Sequence, residues 1–193
     1  MQEQWERIEN CLTKLECLDA IALRPGADPA ELQSLEQYLG VILPEAVKHF
    51  LLVHDGQEGA GFFFGQQLLS VAGIREQWDV WRSIDEAEMN EDCADFMRSE
   101  PEGVIKPMYC NQGWIPLTND WGGNHHGLDF DPDVKGDIGQ IIAFGRDEDT
   151  KVRMASDFQQ YVEMLIEWLQ SATWNGKWLD TTTAASFIQA DPG

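Results

Sequence analysis

The chain has 193 residues and a formal net charge of −21, from 34 acidic and 13 basic side chains. That sign argues against nucleic acid and anionic membrane surfaces as partners. A hydrophobic share of 43%, with eight Trp and nine Phe, excludes a chain too polar to bury a core.

The length suits one domain with a substantial interior. Its expected extent is residues 1–180, with a loosely attached tail over 181–193. No apolar run approaches a membrane span, and the opening residues lack a basic-then-apolar pattern, so the expected location is cytoplasmic. Cys11, Cys17, Cys93 and Cys110 show no CxxC pair and are expected to be reduced and mostly buried.

In chain order, Trp5, Ile8, Leu12, Leu15 and Leu18 recur at helical spacing and predict a first helix over 2–19. Arg24-Pro25-Gly26 breaks it. Asp28 as cap, Pro29 at the first position and Glu31 start a second helix, with Leu32, Leu35 and Leu39 facing inward and Gly40 closing it. Pro44 opens a third, with Val47, Phe50 and Leu51 inward, ending at His54-Asp55-Gly56. The glycine-rich stretch 56–65 reads as a mobile turn and then a short strand at Phe62-Phe63-Phe64. Ser70 caps a helix carrying Val71, Ile74, Trp78 and Trp81, a stripe that reads as core. Residues 85–102 are densely acidic, which suits a solvated helix or an acidic contact surface.

Residues 113–132 hold the densest mixture of turn formers, aromatics and polar groups. Trp114, Ile115 and Leu117 read as a short strand, and Pro116 places it at an edge or bulge. Asn119 to Asn124 is a turn in which Gly122-Gly123 allows positive φ. Leu128 and Phe130 alternate with Asp129 and Asp131, a second strand with one polar face. The expected geometry has Asp120 and Asn124 satisfying backbone groups of their own turn. It also has Trp114, Leu128, Phe130 and Ile141 sharing one core with Leu35 and Leu165. Beyond a glycine-rich turn over 134–139, residues 138–144 predict a buried strand and 151–154 a short one. Ser156, with Gln159 completing a capping box, starts a last helix with Phe158, Tyr161, Val162, Leu165, Ile166 and Leu169 inward. Residues 173–179 add a Trp-bearing extension.

Trp-Ile-Pro-Leu at 114–117, Asp-Trp-Gly-Gly-Asn at 120–124, Leu-Asp-Phe-Asp-Pro at 128–132 and Gly-Gln-Ile-Ile-Ala-Phe at 139–144 together resemble the SMI1/KNR4 (SUKH) family. Trp5 to Glu9, Leu43-Pro44-Glu45 through His54 to Gln57, and Ser156-Asp157-Phe158 agree with it in order and spacing. The resemblance covers roughly residues 3–170. Trp121 departs from it, standing where many relatives carry Gly, as does the longer acidic segment over 84–103. Short turns between successive strands imply antiparallel pairing, hence an α+β class. The resemblance implies the same class, with an antiparallel sheet of about six strands flanked by helices.

Chemistry-bearing motifs are sparse. Asp129, Asp131 and Asp133 suggest a calcium loop, but Val134 and Gln140 stand where that loop wants Gly and Glu. His125 and His126 would point to opposite faces of a strand. His54 beside Asp55 reads as closing a helix against its dipole. There is no nucleophile elbow, Walker A loop or HExxH, and Gly122-Gly123-Asn124 lacks the context of a phosphate loop. No catalytic residue, metal or cofactor is expected.

What remains is a protein-binding module. The resemblance implies interaction domains, among them bacterial immunity proteins and fungal regulators of cell-wall synthesis and signalling. An acidic inhibitor gains on-rate against a basic nuclease toxin, so the expectation leans to an immunity-type protein with a basic protein partner. The alternatives are a regulatory or scaffold protein in cell-wall synthesis or signalling, or a small-ligand-binding or hydrolytic protein. The expected contact surface is Asp120, Trp121, Asn124, His125 and Asp129 around the hairpin, joined by Glu88, Glu91, Asp92 and Asp95. An exposed Trp121 would be its anchor.

Overall fold

A computed structural model describes residues 1–84 and 86–181, so the expected tail lies, beyond Thr181, outside the described residues. The first helix, α1 (Gln2–Lys14), stops earlier than its apolar spacing suggests. Glu16 turns left-handed at φ 58°, and the Cys17 and Glu16 amides donate back to the Leu12 and Thr13 carbonyls, each at 3.0 Å. This paired closure ends a helix regardless of the side chains that follow. A single turn, α2 (Leu18–Ile21), follows it.

Helix α3 (Pro29–Leu39) begins and ends as its sequence dictates. Asp28 accepts from the Ala30 amide at 2.8 Å, and Gly40 takes φ 72° at the other end. Helix α4 is Glu45–Leu51. The glycine-rich stretch after it is not a loose turn: Phe62 and Phe63 are wholly buried, and the strand lies further on, as β1 (Gln67–Leu68). Ser70 caps α5 (Val71–Arg82) by accepting from the Gly73 amide. The acidic stretch forms α6 (Glu86–Cys93) and then β2 (Arg98–Glu100).

The central stretch gives β3 (Trp114–Pro116), β4 (Thr118–Asn119) and β5 (Asn124–Asp129), followed by β6 (Gln140–Gly145) and β7 (Thr150–Ala155). Helix α7 (Phe158–Ser171) starts one residue later than expected. Asp157 caps it through the Gln160 amide, while the Gln160 side chain accepts from the Ser156 amide, both at 2.8 Å. The Trp-bearing extension is a hairpin of β8 (Ala172–Trp174) and β9 (Leu179–Thr181).

The main sheet has five strands in the order β2-β7-β6-β5-β3, and two-stranded ladders join β1 to β4 and β8 to β9. The class is α+β, but the sheet is mixed, not purely antiparallel, because β2 runs parallel to β7. No turn joins those two strands, so hairpin reasoning could not reach that pairing. Pro116 lies on edge strand β3, where a missing amide hydrogen is tolerated.

The two faces of this sheet differ. Ile115, Leu128 and Ile141 pack in the large core with Trp5 and Phe50 of α1 and α4, and with Leu165 of α7. Leu35 belongs to that core and Phe130 packs against it. Trp114 does not share it. Register places Trp114 opposite Asp129, on the other face, where it clusters with Val104, Ile105, Ile142 and Phe144. The strand lies where its sequence places it, but alternation sends neighbouring residues to opposite sides.

Gly127 sits mid-strand in β5, where a Cβ would collide with the Ile115 carbonyl and lie 2.9 Å from the Phe144 ring. Gly127→Ala is therefore expected to destabilise the fold by about 2 kcal/mol, measured as a lower urea midpoint with an unchanged slope.

Candidate functional site

The turn from Asn119 to Asn124 is built by its own side chains. The Asp120 carboxylate accepts from the Gly122 amide at 2.7 Å, the Asn124 amide at 2.9 Å and the Asn124 side chain at 2.7 Å. Burial works against its charge, yet these bonds together outweigh burial and hold the carboxyl below its ordinary range. Gly123 takes φ 99°, as the turn chemistry requires. Asn124 reaches further than expected. Its side-chain oxygen accepts from the Asp147 amide at 2.9 Å, tying this turn to the β6–β7 turn.

Two further acidic elements meet there. The β6–β7 turn carries Asp147, Glu148 and Asp149. Burial foremost raises the Glu148 carboxyl, and the charges of Asp120, Asp147 and Asp149 add to it. The Arg98 amide donates to the Asp149 carbonyl at 2.9 Å, which brings the end of the α6 segment beside this turn. Helix α6 itself buries no side chain. Asn90 clamps it, accepting from the Tyr109 and Cys110 amides at 2.8 and 3.0 Å and donating to the Cys110 carbonyl at 2.9 Å. Glu88, Glu91, Asp92 and Asp95 are all exposed, as is the Phe96 ring that follows.

Of the residues expected at the contact surface, Trp121 is 60% exposed, whereas His125 and Asp129 are 1% and 0% exposed. The last two cannot touch a partner as they stand. Both project from the sheet face opposite the large core, as do buried Gln140 and Lys151. Asp129 accepts from the Gln140 side chain at 2.9 Å and the Asp131 amide at 2.9 Å, and burial nonetheless pushes its carboxyl up. Adjacency in sequence hid this, because a strand buries alternate residues on two different sides.

His126 faces the large core. Its Nε2 lies 3.4 Å from the Gln66 side-chain amide, a donor, so Nδ1 carries the proton toward the Tyr161 oxygen at 2.5 Å. His54 does not close its helix against the dipole. Its ring bridges the Arg24 carbonyl at 2.6 Å and Glu9 at 2.9 Å. His54 and His125 therefore have separate partners and form no acid–base pair. The four cysteines are thiols, Cys17 and Cys110 buried, Cys11 and Cys93 half-buried. Among the described residues no cluster of His, Cys, Asp or Glu could hold a metal ion, and no helix is long and apolar enough to cross a membrane.

The profile of the SMI1 / KNR4 family (SUKH-1) matches residues 26–164, from the α3 approach into the first half of α7. The chain belongs to the SMI1/KNR4 family. Relatives agree. A "Cell wall biosynthesis/cell cycle regulator smi1" from Schizosaccharomyces pombe is 32% identical over 93% of this chain and 37% of its own length. A "Glucan synthesis regulatory protein" from Neurospora crassa is 29% identical over 88% of this chain and 38% of its own. The "Cell wall assembly regulator SMI1" of Saccharomyces cerevisiae is 28% identical over 72% of this chain and 34% of its own. This SMI1/KNR4 chain thus spans well under half the length of these relatives.

The relatives correct one expectation outright. They are fungal proteins named as regulators of cell-wall and glucan synthesis, so the immunity-type, toxin-neutralising reading is wrong and the regulatory alternative fits. Net charge says nothing of a partner's identity. Sequence reasoning also missed Phe96, Tyr109 and Lys151. Trp81, expected in the core, packs half-buried against the smaller cluster on the other sheet face.

Proposed function

We propose that this chain is a non-catalytic, protein-binding part of a regulator of cell-wall glucan synthesis, and that its acidic sheet end holds a partner's basic segment. The contact set is Asp120, Trp121 and Asn124 on the hairpin turn, with Glu88, Glu91, Asp92 and Asp95 beside Phe96. The names of the fungal relatives support the regulatory role. One observation carries the contact surface. Trp121 takes φ 63° and leaves its ring 60% exposed. A left-handed backbone costs a non-glycine residue roughly 1–2 kcal/mol, and this ring recovers little of that inside the chain. Its benefit then lies in a contact with another molecule, where a Trp beside carboxylates suits an anchor in a basic interface.

Trp121→Gly separates the two effects. It is expected to raise folding stability by about 1 kcal/mol, by relieving the left-handed strain, and to weaken function. The test replaces the matching segment of the fission-yeast regulator with this chain and measures cell-wall glucan. The expected result is wild-type glucan for the replacement, and a loss of half or more for its Trp121→Gly form and for a form with Glu88, Glu91, Asp92 and Asp95 changed to Ser. Full glucan in both altered forms would overturn this reading.

A further inference from the structure

His125 carries an unanswered hydrogen-bonding group. Its Nδ1 lies 2.6 Å from the Thr118 carbonyl oxygen, which only accepts, so Nδ1 bears a hydrogen. The other nitrogen, Nε2, is buried without a hydrogen-bond partner. Burial lowers the ring's pKa, so near neutral pH the imidazole is uncharged and Nε2 presents a lone pair. A buried acceptor left unpaired loses its hydration without recompense. What completes this site must therefore be a donor.

The surroundings say which kind. Phe144 packs on His125 at 5.5 Å between ring centres, and Trp81 stands edge-on at 6.1 Å. Tyr109 packs on Trp81 at 5.9 Å. Trp81 and Tyr109 both keep part of their surface in solvent, whereas His125 is 1% exposed. The Asp120 carboxylate is close enough to act on the charge of His125, while at Tyr109 the chain's own Arg146 and the Asp147 carboxylate act in opposite senses. Arg146, exposed in the β6–β7 turn, forms an ion pair with neither carboxylate among the described residues. A donor to His125 that lies between aromatic rings and the Asp120 carboxylate is best matched by a cation. A guanidinium suits better than an ammonium, because its plane stacks on aromatic rings while its five N–H groups remain available.

We propose that the Trp81 ring turns aside and that the corner formed by Trp81, Tyr109 and His125, beside Asp120, then receives an arginine side chain of the protein partner, whose N–H donates to His125 Nε2. This rests on the partner-binding role above and names the group recognised. A single enclosed water is the competing occupant.

The test uses the full chain labelled with 15N and two probes, acetyl-Gly-Arg-Gly-amide and its citrulline counterpart, which keeps N–H donors but lacks charge. The arginine peptide is expected to shift the His125 Nε2 and Trp81 indole resonances, and to bind at least tenfold more tightly than the citrulline peptide. Asp120→Asn and His125→Phe are each expected to weaken it about tenfold. Equal affinity for the two peptides overturns the proposal. So does an Nε2 resonance already hydrogen-bonded in the free protein and unmoved by peptide, the signature of a held water. Shifts confined to the exposed carboxylates of α6 also overturn it, as non-specific attraction. Each of these outcomes leaves the glucan experiment untouched, so the two readings fail separately.

Discussion

Acidification from pH 7 to pH 4 is expected to remove about 3 kcal/mol of folding stability through His126 alone. Burial, reinforced by the charge of His125, depresses its pKa from 6.5 to about 4. Between those values the unfolded chain binds a proton that the folded chain refuses, so stability falls as pH falls. The cost is absent above pH 6.5 and complete below about pH 4, and 2.5 pH units at 1.36 kcal/mol each set its size at about 3 kcal/mol. The check is urea unfolding at several pH values for the wild type and for His126→Gln. The Gln variant keeps a donor near Tyr161 and cannot titrate, so its stability should be flatter by most of that amount. Parallel pH curves would show that His126 is not the group responsible.

The opposite sheet face should produce a second rise of stability with pH, in the alkaline range. Lys151 is wholly buried. Its ammonium has the Glu148 carbonyl and the Met97 sulfur, 3.6 Å away, as partners, and lies 5.9 Å from the Trp114 ring centre. Burial lowers its pKa from 10.5 to about 8, against the pull of Glu148 and Asp149. Between pH 8 and pH 10.5 the unfolded chain holds more protons, so stability rises with pH in that window. From pH 8 to pH 9.5 the gain is about 2 kcal/mol. Lys151→Met keeps the length of the side chain and removes the charge. It should stabilise the protein at pH 7 by about 2 kcal/mol, the desolvation relief less the lost hydrogen bond, and it should abolish the alkaline rise. A less stable Met variant at pH 7 would mean that the ammonium is better solvated than its burial implies.

The readings that held share a cause. Caps, apolar spacing and turn chemistry are local, so Asp28, Gly40, Ser70, Asp120 and Gly123 could be placed from their neighbours in sequence. The readings that failed depend on distant segments. Whether β2 would lie parallel to β7, whether Trp114 would join the helical core, and whether Asp129 would face solvent are decided by register across the sheet. The Asn90 clamp and the Lys151 environment join groups many residues apart, and no local pattern announces either. Only Trp121, Asp120, Asn124 and the α6 carboxylates remain available at the surface, because turns and helices expose side chains that a strand encloses.

The parallel ladder between β2 and β7 has a further consequence for how the chain moves. It joins three residue pairs, Arg98 with Thr150 through Glu100 with Val152, across about fifty residues of intervening chain. Such distant pairing is entropically slow to form, and the helix that precedes it contributes no buried side chain to hold it. Helix α6 and β2, held by the Asn90 clamp and by buried Met97, are therefore the unit expected to open first while the rest of the sheet stays paired. Its amides should exchange with solvent faster than those of β5 and β6. The α6 carboxylates and Phe96 would swing away together in such an opening, so the surface that meets a partner would be present in proportion to how long this one unit stays docked.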